Sequence, residues 1–240
     1  MEPKNLLLVH GANHGSWCWS LVRPLLEKRG FTVHAVDLPG RSGQRRSGWT
    51  YRLNDSASAV VEAADAAGGP VVAVGHSLGG MVISAAAQLK PELFSRLVYL
   101  TGFLPVNGDS VASLGRRDRH AILQSGIRAF LWKGRVRILP GPGADVFFAD
   151  CTEEQRRWAF ERLTDEPLRP SLERPRLTPD RFGTVPRSYI RCTKDRALSV
   201  AFQDEMIARQ PCDRIATLES SHSPFLSMPD ALAQAIVDVT

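Results

Sequence analysis

The stretch Val71-Val72-Ala73-Val74-Gly75-His76-Ser77-Leu78-Gly79-Gly80 restricts the fold of this chain more than any other. A run of small and β-branched apolar residues ends in Gly75-His76-Ser77-Leu78-Gly79, a G-x-S-x-G pentapeptide, and a helical pattern begins directly after it. Strand, tight turn and helix follow one another with a serine at the apex. Glycines two residues before and after Ser77 permit the sharp turn, which leaves the serine oxygen at the end of a sheet. Such a pentapeptide also arises by chance as an ordinary Gly-rich turn. Its place between a buried-type strand and an Ala-rich helix is what marks Ser77 as a candidate nucleophile.

The rest of the chain supports that frame. Leu6-Leu7-Leu8-Val9 is a continuous apolar run, as a central parallel strand covered on both faces requires. It opens into His10-Gly11-Ala12-Asn13-His14-Gly15-Ser16-Trp17 and then a helical pattern over residues 17–26, with Pro24 early in it or bending it. Residues 31–36 read as the next strand, 37–43 as a loop, the polar stretch to about 54 as exposed, and 55–67 as a second helix. After Ser77, a helix is expected over 78–89 and a strand over 96–100. Alternation then breaks: prolines and aromatics are scattered through residues 103–184, with one good helix over 152–163 that Thr152 can cap. It resumes with strands at 186–192 and 215–218 and helices at 200–209 and 229–239. The expectation is one α/β domain with a doubly wound, mostly parallel sheet, its core at about 1–102 and 185–240, and a cap or lid inserted between. A chain of 240 residues suits a single core.

Composition narrows the function classes. No apolar run is long enough to span a bilayer, and Met1-Glu2-Pro3-Lys4-Asn5 carries no signal-peptide pattern. Cys18, Cys151, Cys192 and Cys212 show no CxxC spacing or evident pairing, so a reduced, cytoplasmic protein is expected. The net charge of +5 raises nucleic-acid binding, but the arginines are interleaved with acids. The densest basic runs, Arg45-Arg46 and Arg116-Arg117-Asp118-Arg119, are short and without a nucleic-acid motif, so a solvated surface is the reading. Neither nucleic acid nor membrane is expected as a partner; a small-molecule substrate is, with a homodimer possible.

A serine hydroxyl needs a base within hydrogen-bond reach. His222, in Glu219-Ser220-Ser221-His222-Ser223-Pro224-Phe225, follows the last strand and so lies at the carboxyl edge of the sheet with Ser77. His10 and His76 lie near that edge too, each in a glycine turn that suits a packing role. An acid would hold the imidazole in its working tautomer. Asp195, after the penultimate strand, is the first choice, with Asp109 and Asp150 as rivals. Backbone N–H groups of Leu78, at the start of the nucleophile helix, and of Ala12 are the candidate oxyanion hole, with Gly11 allowing close approach. Gly11, His14 and Ser223 are candidate substrate contacts. Phe103, Phe130, Trp132, Phe147, Phe148 and Trp158 are candidates for an apolar substrate wall or for plain core.

His10-Gly11-Ala12…Gly15-Ser16-Trp17-Cys18-Trp19, Gly75-His76-Ser77-Leu78-Gly79-Gly80-Met81, Asp195 eight residues before Gln203, and His222 before a Pro-containing helix start together resemble the α/β-hydrolase fold. More narrowly they resemble its branch of plant methyl esterases, hydroxynitrile lyases and small bacterial relatives. The resemblance puts nucleophile, acid and base on Ser77, Asp195 and His222, and implies no cofactor and no metal. The lyases of that branch carry threonine at the position of Gly11 and lysine directly after the catalytic histidine, where this chain has Ser223. Both departures favour hydrolysis of a small carboxylic ester over cyanohydrin cleavage. A biosynthetic hydrolase, thioesterase, cyclase or lyase, and a ligand-binding receptor on the same fold, are the alternatives.

Overall fold

The computed structural model describes residues 5–41 and 46–240. Residues 1–4, Ser42 and Gly43 of the expected loop, and Arg45 of the first basic pair lie outside the described residues. Six strands form one sheet: β1 (Asn5–Val9), β2 (Thr32–Val36), β3 (Val71–His76), β4 (Phe94–Leu100), β8 (Arg187–Cys192) and β9 (Arg214–Leu218). Their spatial order is β2-β1-β3-β4-β8-β9, and every neighbouring pair is parallel. The chain starts at β1, steps outward to β2, and returns past β1 to β3. The switch between β1 and β3 therefore opens a crevice at their carboxyl ends, where Gly11 and Ser77 emerge.

Burial follows strand position. β3 is buried throughout and Leu6, Leu7 and Leu8 of β1 are fully buried, whereas edge strand β9 leaves Ile215 exposed. Each of those leucines contributes about 1.5–3 kcal/mol by leaving water. Side chains alternate between two apolar layers. Leu7, Val9, Ala73 and Tyr99 meet α2 (Leu53–Ala66), α3 (Leu78–Leu89) and α8 (Val200–Arg209) on one face. Leu6, Leu8, Val74 and Val98 meet α1 (Arg23–Glu27) and α10 (Pro229–Val239) on the other.

Between β4 and β8 lies an insertion built on a three-stranded antiparallel sheet: β5 (Ile127–Phe130), β6 (Arg135–Ile138) and β7 (Glu166–Pro167). Around it are the short helices α4 (Val111–Gly115), α5 (Pro142–Phe147), α6 (Glu153–Phe160) and α7 (Arg169–Leu172), and α9 (Pro224–Ser227) follows β9. Ile138, Val146, Phe148 and Ala159 of the insertion join the apolar layer shared with Trp19 and Phe225.

Three local expectations are corrected. The first helix is not continuous: a 3₁₀ turn (Ser16–Trp19) precedes α1, which holds Pro24 in its first turn, where no N–H is needed. α2 begins at Leu53 rather than 55, because Asp55 accepts the Arg52 N–H at 2.7 Å and Glu173 accepts the Leu53 N–H at 2.8 Å. Nor is the stretch before α2 simply exposed. Arg41 is buried against Glu166, and Tyr51 and Leu53 are buried as well. In α6 the Thr152 cap is as expected, its hydroxyl accepting the Gln155 N–H at 3.2 Å.

Candidate active site

Ser77 stands between the last residue of β3 and the first of α3, with φ 52° and ψ −120°. That conformation is strained for a serine and is held by neighbours. The Ser77 N–H donates to Leu100 O at 3.2 Å, and the Phe103 N–H donates to Ser77 O at 3.0 Å. Gly75 and Gly79 are required sterically: a Cβ on Gly75 would lie 2.6 Å from Gly79 O, and one on Gly79 would lie 2.7 Å from Val9 O. The pentapeptide thus lets helix α3 start directly against β1 and β3. Leu78 opens that helix, so its N–H has no carbonyl one turn back and is free for a developing anion.

Two further strands deliver the other candidate members. His222 follows β9 and Asp195 follows β8, and the His222 Nδ1–H donates to Asp195 Oδ2 at 2.6 Å. His222 is 2% exposed and the Asp195 side chain 0%. Asp195 accepts three further bonds: Thr101 Oγ1–H at 2.5 Å on Oδ2, and the N–H groups of Ala197 at 2.7 Å and Leu198 at 3.0 Å on Oδ1. Both carboxylate oxygens are therefore fixed in direction, which in turn fixes the imidazole. Gln203 braces this loop, accepting the Cys192 N–H and donating to Cys192 O and Leu198 O. The spacing of Asp195 and Gln203 noted in the sequence has this physical basis.

The rival acids have other work. Asp109 pairs with Arg209 at 3.1 Å. Asp150 accepts the Ser221 N–H at 2.8 Å and the hydroxyls of Ser221 and Ser227, bracing the loop that carries His222. His76 donates from Nε2 to His222 O at 2.9 Å. His10 donates from Nδ1 to Gly11 O and accepts the Leu38 N–H on Nε2. Both take packing roles, and burial pushes both well below the ordinary histidine range.

His14 is buried, its Nδ1–H donating to Ala12 O at 2.7 Å, and burial pushes it down to about 4. Its ring stacks on Trp17 and meets His76, Phe148 and Phe225 at centroid distances of 5.6–5.9 Å. Phe147 lies edge-on to His222 at 5.5 Å. Phe147 thus lies against the His222 ring and the fully buried Phe148 against His14, while Phe103 is buried in the layer against α3. Ser223 is fully buried, its Oγ without a partner. A Cβ on Gly11 would lie 2.7 Å from His76 Nδ1 and 2.9 Å from Ser77 Cβ, which is why glycine stands there. Trp132 is a correction: it sits on the β5–β6 turn, 75% exposed, edge-on to Phe130, and lines no catalytic wall. Its alternating, Arg-rich surroundings leave it on the solvent side of the hairpin. Thr101 and Asn13 are contributors to which sequence reasoning assigned no site role, and Asp150, weighed there only as a rival acid, contributes as a brace. The one local signal was Asn13, an asparagine beside glycines in a turn.

Residues 6–235 match the alpha/beta hydrolase family. The chain belongs to it. Among curated relatives, it is 29% identical over 262 residues to a putative chloroplastic methylesterase 11 of Arabidopsis thaliana, covering 100% of this chain and 64% of that protein. It is 31% identical over 254 residues to a pyrethroid hydrolase of Sphingobium wenxiniae, covering 99% of this chain and 88% of that one. Among solved structures, polyneuridine aldehyde esterase superposes with a TM-score of 0.88 at 24% identity, over 99% of both chains, a likeness of fold. The branch is that of the plant methylesterases, with bacterial pyrethroid hydrolase relatives. The chain spans 64%, 57% and 56% of the length of three chloroplastic methylesterases it matches and 96% of methylesterase 2, all of Arabidopsis thaliana.

Proposed function

We propose that this protein is a cofactor-independent carboxylic ester hydrolase that works through an acyl-enzyme on Ser77. The observation that carries the reading is the His222–Asp195 pair, 2.6 Å apart and buried, at the sheet edge where Ser77 is held at φ 52°. Ser77 Oγ attacks the ester carbonyl carbon as His222 Nε2 takes its proton, and the carbonyl oxygen becomes an anion facing the N–H groups of Ala12 and Leu78. On collapse the alcohol leaves with the proton from His222. A water then attacks the acyl-enzyme with His222 again as base, releasing the acid and restoring Ser77. Asp195 keeps Nδ1 protonated so that Nε2 is the basic nitrogen throughout.

The insertion forms the acyl or alcohol wall through Phe147 and Phe148, which pack on His222 and His14. The substrate class is a small carboxylic ester, and the relation to methylesterases makes methyl esters the first to try. Cyanohydrin cleavage is disfavoured: the residue after His222 is a buried, neutral serine, with no ammonium for departing cyanide. The test is hydrolysis of p-nitrophenyl acetate and of small methyl esters, with cyanide release from mandelonitrile at background. Ser77→Ala and His222→Ala should each lower kcat by roughly 10³-fold or more with the fold intact. A fluorophosphonate should label Ser77; labelling elsewhere, or cyanide release that rivals ester turnover, overturns the reading.

A further inference from the structure

The loop that presents Ala12 has little structure of its own. Its internal bonds are His10 Nδ1–H to Gly11 O at 2.8 Å, His14 N–H to Gly11 O at 3.4 Å and His14 Nδ1–H to Ala12 O at 2.7 Å. The residue directly after Ala12 is instead tied to the insertion at almost every polar atom. The Asn13 N–H donates to Glu166 Oε2 at 3.0 Å, and Asn13 O accepts the Thr164 N–H at 2.9 Å. Its side-chain amide donates to Val136 O and Thr164 O, both at 2.8 Å. Asn13 has φ 64°, the left-handed region, which asparagine tolerates better than other residues with a side chain. Glu166 is held in turn by Arg41 at 2.6 Å, with both side chains at 5% exposure or less. Four bonds and a buried ion pair are thus spent on one loop residue.

We infer that Asn13 is a positioning residue: through Glu166, Thr164 and Val136, the insertion fixes Asn13 and so aims the Ala12 N–H at the developing oxyanion. This rests on the esterase reading, in which that N–H stabilises the tetrahedral intermediate. The amide N–H of residue 12 is carried by the peptide plane between residues 11 and 12. Gly11 allows that plane many orientations; its carbonyl is held by His10 Nδ1–H at 2.8 Å on one side, and the Asn13 anchors one residue on fix the other. An oxyanion donor acts by being oriented before the charge forms, so a small loss of aim costs rate without costing substrate binding. The insertion therefore completes the catalytic machinery as well as walling the site.

The test is Asn13→Gly, which accepts the left-handed backbone and removes both side-chain anchors. With p-nitrophenyl acetate, kcat should fall about 10- to 100-fold with KM within threefold, bounded by the loss seen when an oxyanion donor is removed. A trifluoromethyl ketone, which forms a tetrahedral adduct with the serine, should lose affinity by a similar factor, while fluorophosphonate still labels Ser77. If Asn13→Gly fails to fold, the pair Glu166→Leu with Arg41→Met removes the acceptor for the Asn13 N–H without stranding a buried charge. It should show the same split. Lower melting temperature with unchanged kcat and ketone affinity, in whichever variant folds, overturns the inference and leaves the esterase reading standing. A wild-type protein that neither hydrolyses esters nor is labelled at Ser77 overturns both.

Discussion

Thr101 carries the least expected strain in the molecule. A β-branched residue at φ 33° is disfavoured by about 1–3 kcal/mol, yet its hydroxyl reaches the Asp195 oxygen that also accepts from His222. The strain is offset by what the hydroxyl orients. Thr101→Val keeps the shape and removes the donor, so kcat should fall roughly tenfold with KM little changed. An unchanged kcat would assign Thr101 to packing alone. Gly11 is constrained from the opposite direction, by lack of room. Gly11→Ala places a methyl against His76 and the Ser77 Cβ, and overpacking of this kind costs about 1–3 kcal/mol. Activity should fall at least tenfold in steady-state assays, because the displaced group is the proposed nucleophile. For the same reason, this chain does not accept the lyase-like threonine at residue 11 without moving His76.

At the level of elements, the insertion braces the candidate catalytic loops at several points, two of them next to Ala12 and His222. One is Asn13; the other is Asp150, whose carboxylate accepts from Ser221 N–H and Oγ and from Ser227 Oγ on either side of His222. Asp150→Ala leaves these donors unpaired, at about 1–3 kcal/mol for the buried N–H, and frees the His222 loop. We expect kcat to drop about tenfold or more and the melting temperature to fall by several degrees. Asp150→Asn, which still offers an oxygen to the Ser221 N–H, should recover part of the rate; equal losses in the two variants would count against a hydrogen-bonding role. None of this was legible in sequence, and the reason is distance along the chain. Thr101 and Asp195 are 94 residues apart, Asn13 and Glu166 are 153 apart, and no local pattern announces either pair. The strands β1, β3 and β4 were legible because burial on both faces leaves a continuous apolar run. β5 and β6 were not: although Arg128, Arg135 and Arg137 alternate with apolar residues as on a half-exposed strand, the runs are only four residues long among scattered prolines and aromatics, and were read only as part of the cap. Arg41 likewise read as a loop charge, since only its partner in the insertion makes it an interior residue. Ser77 and His222 were readable because chain order and strand ends place them at one edge. Asp195 was the first choice of acid in the sequence, and in the structure its carboxylate bonds the His222 imidazole while Asp109 pairs with Arg209 and Asp150 with Ser221.

For the molecule as a whole, three neutral histidines in the interior set how stability responds to acid. Burial pushes His14 down to about 4 and His10 and His76 well below the ordinary value of 6.5. In the unfolded chain each regains a value near 6.5. Below that pH the unfolded state binds more protons than the folded one, so stability must fall as pH falls. The stabilisation is complete above about 6.5 and is lost as pH drops toward 4 for His14 and further for the other two. Glu166, raised by burial, works in the opposite sense, because the folded state takes up its proton first. It offsets one histidine at most. Each unmatched proton is worth about 1.4 kcal/mol per pH unit, so the loss between pH 6.5 and 5 amounts to several kcal/mol. The urea midpoint should therefore drop markedly between pH 7.5 and 5. His14→Phe, which keeps a ring beside Trp17, should flatten that dependence by about one proton. A midpoint that stays level from pH 7.5 to 5 would mean that these histidines are protonated in the folded protein, with counter-charges beside them that the structure does not contain.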